Sequence, residues 1–520
     1  MIHAATGCKL ITDGQPNFPS DAITQSAVNL ALDMLNLSWS MVDADIALTR
    51  SFRAMAQAAL IWTEDDAMTV GPALRVASNL VELIADEDRQ GDIILSIQAE
   101  RLEILVVLLE MACSDAAVIE EDRLVEIWRN IRRVLETGNF SSSLRHAHLP
   151  PLHKPMLRIL SLLLESLPRT ENPIFELDSA IEAATVFALD AADFVLEGLV
   201  RQPNAPLPLS ADLASIVGVL CEVTRTPNSQ IWLDKVAEHN LVTRSLEVIT
   251  RAEITNGQIT PQVASVLLLH LALASNEAFA ERLAVAGILP AYSHNAIVFE
   301  AENGRIDSSD PTPSITSVHG AWCGMLMVVK ALVSTLPLAH ASNFAKSDVL
   351  PFISVSWPQI DQSLAWKAQT PLSQPAINEL ELVTDLFACI AQATGPSDSL
   401  LDDICLPFLQ LLKTVRYALN HPHILSTLFV PSSESEKSAL EQELKKLDET
   451  DNPQLLDFAG VPIVAGRTTR ILGVARNVLL TLVTLTKAWG VLISDIDDYC
   501  DGELLETAVS LATPRRKLSC

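Results

Sequence analysis

Glycine is scarce in this chain, at 18 of 520 residues, and aromatics make up only 5%, with tyrosine present three times. Sheets draw heavily on aromatic and β-branched side chains, so the shortage argues against a large β-architecture and for helix. Positive charge is short as well: 36 Lys and Arg stand against 64 Asp and Glu, a formal net charge of −28. Nucleic-acid affinity comes largely from neutralised phosphates, and anionic membrane surfaces attract basic segments, so neither is an expected partner. The densest basic cluster, Arg515-Arg516-Lys517, reads as a solvated tail, with a fragment of an import signal as the alternative. None of the eight cysteines forms a C-x-x-C pair, the pattern of buried thiols in a reducing compartment without disulfides or zinc. The N-terminus lacks a basic region running into an apolar one, so no secretory signal is expected. The longest candidate membrane span, Ile471–Ile493, is broken by Arg476, Asn477 and Lys487 and reads instead as a helix buried by its neighbours.

What is abundant is apolar residue at helical spacing. Hydrophobic side chains are 49% of a chain too long for one core, which implies several domains or an elongated array. In Glu120–Thr137, Leu124, Ile127, Trp128, Ile131 and Val134 fall on one face, with Gly138 placed as a C-cap. Pro155–Leu167 repeats the pattern through Met156, Ile159, Leu160 and Leu163. Ser179 and Glu182 have capping-box spacing before Val186–Val200, and Ser210 is a candidate cap for the next helix. Comparable segments are Ile23–Leu37, Ala44–Ile61, Ala73–Ile84, Ile93–Ala112, Gln262–Ala274, Ala321–Leu336, Ile377–Ala393, Ile404–Leu419, Ser435–Leu447 and Thr469–Ile493. No segment sustains a period of two, and no sheet is expected. Two longer stretches, Glu300–Ser317 and Asp448–Gly466, read as mobile insertions.

A fixed period strengthens the reading. Trp232–Val242 lies over Phe279–Leu289 at an offset of 47 residues, apolar on apolar, with Asn240 matched to Gly287. Those are the residue types most comfortable in the left-handed conformation that ends a helix. Repeats of roughly 40 to 47 residues built from two or three helices are an armadillo and HEAT pattern. The expected fold is therefore all-α, a superhelical solenoid of stacked armadillo/HEAT-like repeats. Its expected divisions are N-terminal helical repeats at 1–139, armadillo/HEAT-like repeats at 140–299, an acidic mobile loop at 300–318, helical repeats at 319–447, a loop insertion at 448–468 and C-terminal helices with a short basic tail at 469–520.

Catalytic and ligand motifs are weak or broken. His146, His148 and His153 sit in a Ser- and Pro-bearing stretch without nearby cysteine, and His421-Pro-His423 has no third ligand, so no metal is expected. The Asp495–Glu503 cluster places Tyr499 and Cys500 where a calcium loop needs a ligand and a glycine. It reads as a solvated helix end, as do Glu64-Asp65-Asp66 and Asp86-Glu87-Asp88. Gly460–Thr468 misses phosphate-loop spacing and has Arg467 in place of lysine. No nucleophile elbow, kinase set or dinucleotide fingerprint is present, and neither an enzyme activity nor a cofactor is expected.

One region carries more than composition. His319-Gly-Ala-Trp322-Cys323 opens a long apolar run to Leu336; Phe344, Pro351-Phe352-Ile353, Ile360, Leu364 and Glu379–Phe387 follow in order. This succession resembles the C-terminal portion of the large scaffold nucleoporins of the nuclear-pore inner ring, in particular the nucleoporin 188 family of fungal type. The resemblance extends over Trp232 to Ile493, and its most specific element is the Trp322-Cys323 block. Members of that family are several times longer, so this chain would correspond to a C-terminal piece or to a truncated reading of the gene. The resemblance implies a non-enzymatic scaffold at the nuclear envelope that supports nucleocytoplasmic transport. It also implies partners in the form of amphipathic helical segments from linker nucleoporins, with no nucleic acid and no small-molecule substrate. The alternative is a soluble armadillo/HEAT-type adaptor or transport receptor outside the pore. Trp232 and Trp322 are the expected structural anchors, and Phe408, Leu411, Leu412 and Tyr417 the candidate lining of a partner groove.

Overall fold

A computed structural model describes residues 29, 32–33, 46–62, 70–87, 92–113, 121–136, 151–167, 175–201, 207–224, 236, 239–255, 257–308, 317–367, 372–419 and 467–485. The chain is all-α, and it divides into two compact units, Met1–Arg244 and Ser245–Cys520. That division falls inside the expected 140–299 block, not at either of its ends.

The first unit contains α1 (Ile46–Trp62), α2 (Val70–Ala85), α3 (Asp92–Cys113), α4 (Glu121–Glu136), α5 (His153–Glu165), α6 (Phe175–Arg201), α7 (Leu207–Thr224) and the start of α8 (Leu241–Thr250). The helices pack on those two places along, α1 on α3, α3 on α5 and α5 on α7 in one row, α2 on α4 and α4 on α6 in the other, and α2 on α3 and α6 on α7 join the rows. Polar ties across each row make the repeat visible. Arg53 Nη1 donates to Glu100 Oε2 at 2.9 Å, Arg133 Nη2 to Asp86 at 2.6 Å and Arg132 Nη1 to Ser179 Oγ at 2.8 Å, each across 47 residues. Ser78 Oγ to Glu126 and Arg158 to Glu110 span 48. Two ties to α4, from Ser78 within α2 and from Asp86 just after it, keep nearly the same offset, 78 to 126 and 86 to 133, so α2 and α4 run parallel. Parallel neighbours in a row require an antiparallel helix between them, which is the two-row construction of a helical repeat stack.

Leu124, Ile127, Trp128, Ile131 and Val134 of α4 are buried, the stripe that the periodicity marked. The helix starts are less faithful. α6 begins at Phe175 and α7 at Leu207, so positions 179 and 210 lie inside helices and do not cap them. His153 also belongs to a helix and not to a loop: it opens α5, fully buried, with its ring stacked on Phe187 at 4.9 Å. Glu87, expected in a solvated acidic cluster, pairs with Arg101 at 3.3 Å, both side chains under 10% exposed.

The second unit holds the rest of α8, a two-residue hairpin β1 (Ile254–Thr255) and β2 (Gln258–Ile259), then α9 (Pro261–Ala274), α10 (Glu277–Val285), α11 (Ile288–Ser293) and α12 (Ala296–Glu302). There follow α13 (Val318–Thr335), α14 (Leu338–Phe344), a π-helical turn at Ala345–Val349, α15 (Leu350–Val355), α16 (Trp357–Leu364), α17 (Gln374–Thr394), α18 (Asp398–Leu419) and α19 (Arg467–Leu485). The hairpin, antiparallel and turned at Gly257, corrects the expectation of no sheet, although two residues a strand is below what periodicity can register.

Helices α9, α13, α17 and α19 form a row, each against the next. Ties between α13 and α17 join 319 to 379 and 334 to 389, so these two are parallel. The offsets here grow to 60 and 55 residues because the short helices α14 to α16 are interposed. Gly324 lets α13 sit closely on α9: a Cβ there would lie 3.1 Å from Leu267. Among the described helices α13 alone is long and apolar enough to cross a membrane by length and composition. Trp322, Met325, Leu326, Val329 and Leu332 of that helix are buried against its neighbours in the fold.

The matched repeat positions behave alike. Asn240 has φ 50° and is the one described non-glycine residue with positive φ; Gly287 has φ 80°. Each stands immediately before a helix, α8 and α11 respectively. The expected mobile loop at 300–318 is largely structured at its ends. α12 continues to Glu302, Ile306 is buried, and Ser317 caps α13 by accepting from Gly320 N at 2.9 Å. Residues 309–316 lie outside the described residues, as do Ser435–Leu447, 448–466 and the tail after Leu485.

Candidate functional site

The densest polar chemistry in the described residues gathers where the second unit joins α12, α13, α16 and α17. It starts from Glu379, in the first turns of α17, whose entry is set by the Ser373 side chain accepting from Ala376 N and by a proline at the first helical positions. That register turns Glu379 inward, 1% exposed. A carboxylate so placed must be paired, and it is. Its Oε1 accepts from Trp322 Nε1 at 3.0 Å and from Gln359 Nε2 at 3.1 Å. Its Oε2 meets His319 Nε2 at 3.0 Å. His319 and Trp322 lie three apart on α13 and therefore on one face. The Trp322 ring also stacks on Phe352, centroids 6.2 Å apart. Cys323 Sγ is 3.6 Å from His319 Nε2. Burial first, and the Glu379 charge second, push its thiol up, so it stays protonated at neutral pH and is no nucleophile.

A second buried chain crosses α8, α9 and α11. Ser245 Oγ lies 2.9 Å from His270 Nε2, and His270 Nδ1 lies 3.0 Å from Tyr292 Oη. A serine within reach of a histidine oriented by a third group is the layout of an activated nucleophile. Here all three side chains are fully buried, and burial pulls His270 down to about 3. A histidine that weakly basic, with no substrate access to the serine, is suited to a neutral hydrogen-bonded tie between helices and not to general-base work.

The candidate groove residues separate. Phe408 and Leu411 are fully buried and Leu412 nearly so; Phe408 packs edge-on to Phe387 at 5.5 Å, and Phe387 edge-on to Trp357 at 6.4 Å. An apolar side chain at those positions of α18 fills the core, so they do not line an open groove. Tyr417 alone of the four is exposed, at 47%. Trp322 is fully buried within the hub, and Trp232 lies outside the described residues. Among the described residues no group of three or more His, Cys, Asp or Glu side chains is placed to hold a metal ion. His146, His148, His421 and His423 fall outside them.

No family model matches the chain, and no curated protein matches it. Among solved structures it is similar to a fragment of Nup188 (residues 1445–1827) from Myceliophthora thermophila, at 14% identity and a TM-score of 0.40, over 63% of this chain and 98% of that one.

Trp322, Cys323 and the Glu379–Phe387 stretch stand out in the sequence, but no pattern there brings them to one point. Gln359 and the Ser245–His270–Tyr292 chain gave no signal as motifs. The trace that was available is His270 inside the apolar run Val266–Leu273, since a buried polar group requires a partner.

Proposed function

We propose that this protein is a non-enzymatic scaffold that binds other proteins, and specifically an inner-ring scaffold of the nuclear pore. In this reading it receives short amphipathic helical segments of linker nucleoporins and so supports nucleocytoplasmic transport. The observation that carries the reading is the Glu379 hub. His319, Trp322, Phe352 and Glu379, scattered over the stretch whose order resembles the nucleoporin 188 family, meet in one buried cluster. Polar chemistry is spent on fastening helix to helix, which is what a load-transmitting stack requires. A stacked array also presents long faces onto which an amphipathic helix can lay its apolar side. The net charge of −28 favours basic partner segments and speeds their encounter.

Imaging of the fluorescently tagged full chain tests the location. A punctate nuclear rim that coincides with pore markers is the expected result. Diffuse cytoplasmic signal with no rim contradicts the pore reading and favours a soluble helical adaptor.

A further inference from the structure

The segment leaving α12 is fastened by the hub. α12 closes with a left-handed Gly304, φ 61°, whose N–H donates to Ala301 O while Arg305 N donates to Glu300 O. This paired closure aims the chain away from the helix axis. Arg305 and Asp307 then face solvent, and Ile306 between them is 3% exposed. Gln359 of α16 grips Ile306 by both backbone groups: Ile306 N donates to Gln359 Oε1 at 3.3 Å, and Gln359 Nε2 donates to Ile306 O at 3.2 Å. The same Nε2 donates to Glu379 Oε1 at 3.1 Å. Two residues on, Ser373 Oγ donates to Ser308 O at 2.8 Å.

We propose that Glu379 and Gln359 form a latch that decides whether residues 303–308 are docked. The amide of Gln359 can hold Ile306 in this way only with its NH₂ toward the carboxylate. Rotated by half a turn, it would set its oxygen against Glu379 and lose both backbone bonds. The carboxylate thus fixes the amide's orientation, and the amide fixes the segment. Glu379 is a positioning residue for a backbone it does not touch. His319 and Trp322, bound to the same carboxylate, tie the docked state to α13. Residues 303–308 and the α13–α17 pair therefore change state together.

The test is hydrogen exchange at the Ile306 amide in the full chain, with tryptic cleavage after Arg305 as a second readout. Gln359→Leu removes the grip directly and is expected to raise Ile306 exchange about tenfold and to open the Arg305–Ile306 bond to trypsin. Glu379→Gln leaves Gln359 in place but can present either an oxygen or an NH₂ to it; exchange at Ile306 is expected to rise about threefold or more. Unchanged protection of Leu269 in α9 shows that the unit is still folded. Should Glu379→Gln lose that protection, Glu379→Asp, which keeps the charge and withdraws the oxygens by one methylene, takes its place with the same expectation. Ile306 exchange within about twofold of wild type in the folded Glu379 variant overturns the latch, even if Gln359→Leu accelerates it, because the grip would then be independent of the carboxylate.

Discussion

Glu379 gathers three donors on two oxygens, and no single partner is expendable, because removing one leaves a buried charge less compensated. Trp322→Phe keeps a ring against Phe352 but deletes the indole N–H and part of the bicycle's volume at a fully buried position. It is expected to destabilise the second unit by about 2–5 kcal/mol, the lost hydrogen bond to a charged group together with the cavity left in the core. Urea unfolding of the variant measures this, and a loss below about 0.5 kcal/mol would show that the bond is not made. The buried histidines give a pH dependence of definite sign. Burial lowers His270 to about 3 and His153 to about 4, below the ordinary histidine value. Between those values and about pH 6.5 the unfolded chain binds a proton that the native state does not, so stability falls as pH drops. The expected slope is about 1.4 kcal/mol per pH unit for each histidine. His270→Gln, which retains a donor and an acceptor between Ser245 and Tyr292, is expected to flatten the decline between pH 6 and 4, read by denaturant midpoints across that range. A decline as steep as wild type's would remove His270 from the account.

At the scale of elements, the backbone conformation before α8 and α11 tests the repeat. Asn240 and Gly287 both sit in the left-handed region. Asn240→Gly is expected to be neutral to within about 0.5 kcal/mol, whereas Asn240→Val, whose branched Cβ meets the following carbonyl there, costs about 1–2 kcal/mol. Thermal unfolding of the two variants separates them; equal melting temperatures would mean that the conformation at 240 is not maintained. This position was legible because asparagine and glycine share one backbone preference and stood at a constant offset. Helix interiors were legible for a similar reason: the α4 stripe repeats at three and four residues. Helix starts were less so. Ser179 had the spacing of a cap, but Leu177 precedes it and is buried, and tertiary packing extended the helix past the local signal. The groove residues failed on the same ground. Phe408, Leu411 and Leu412 are a helical stripe, and periodicity marks a buried face without saying whether a partner or the chain's own core covers it. The hub was hidden because its members come from separate helices up to 60 residues apart, with no local pattern to join them.

For the whole molecule, the proposed role is that of a platform: buried polar ties hold the rows of stacked helices, and the faces of the stack would take the partners. Pull-down from nuclear-envelope extract with the purified full chain, read by mass spectrometry, tests this most directly. The predicted result is enrichment of inner-ring nucleoporins, lost on competition with a helical peptide taken from a linker nucleoporin. Recovery of cytoplasmic complexes with no nucleoporin above background would contradict it.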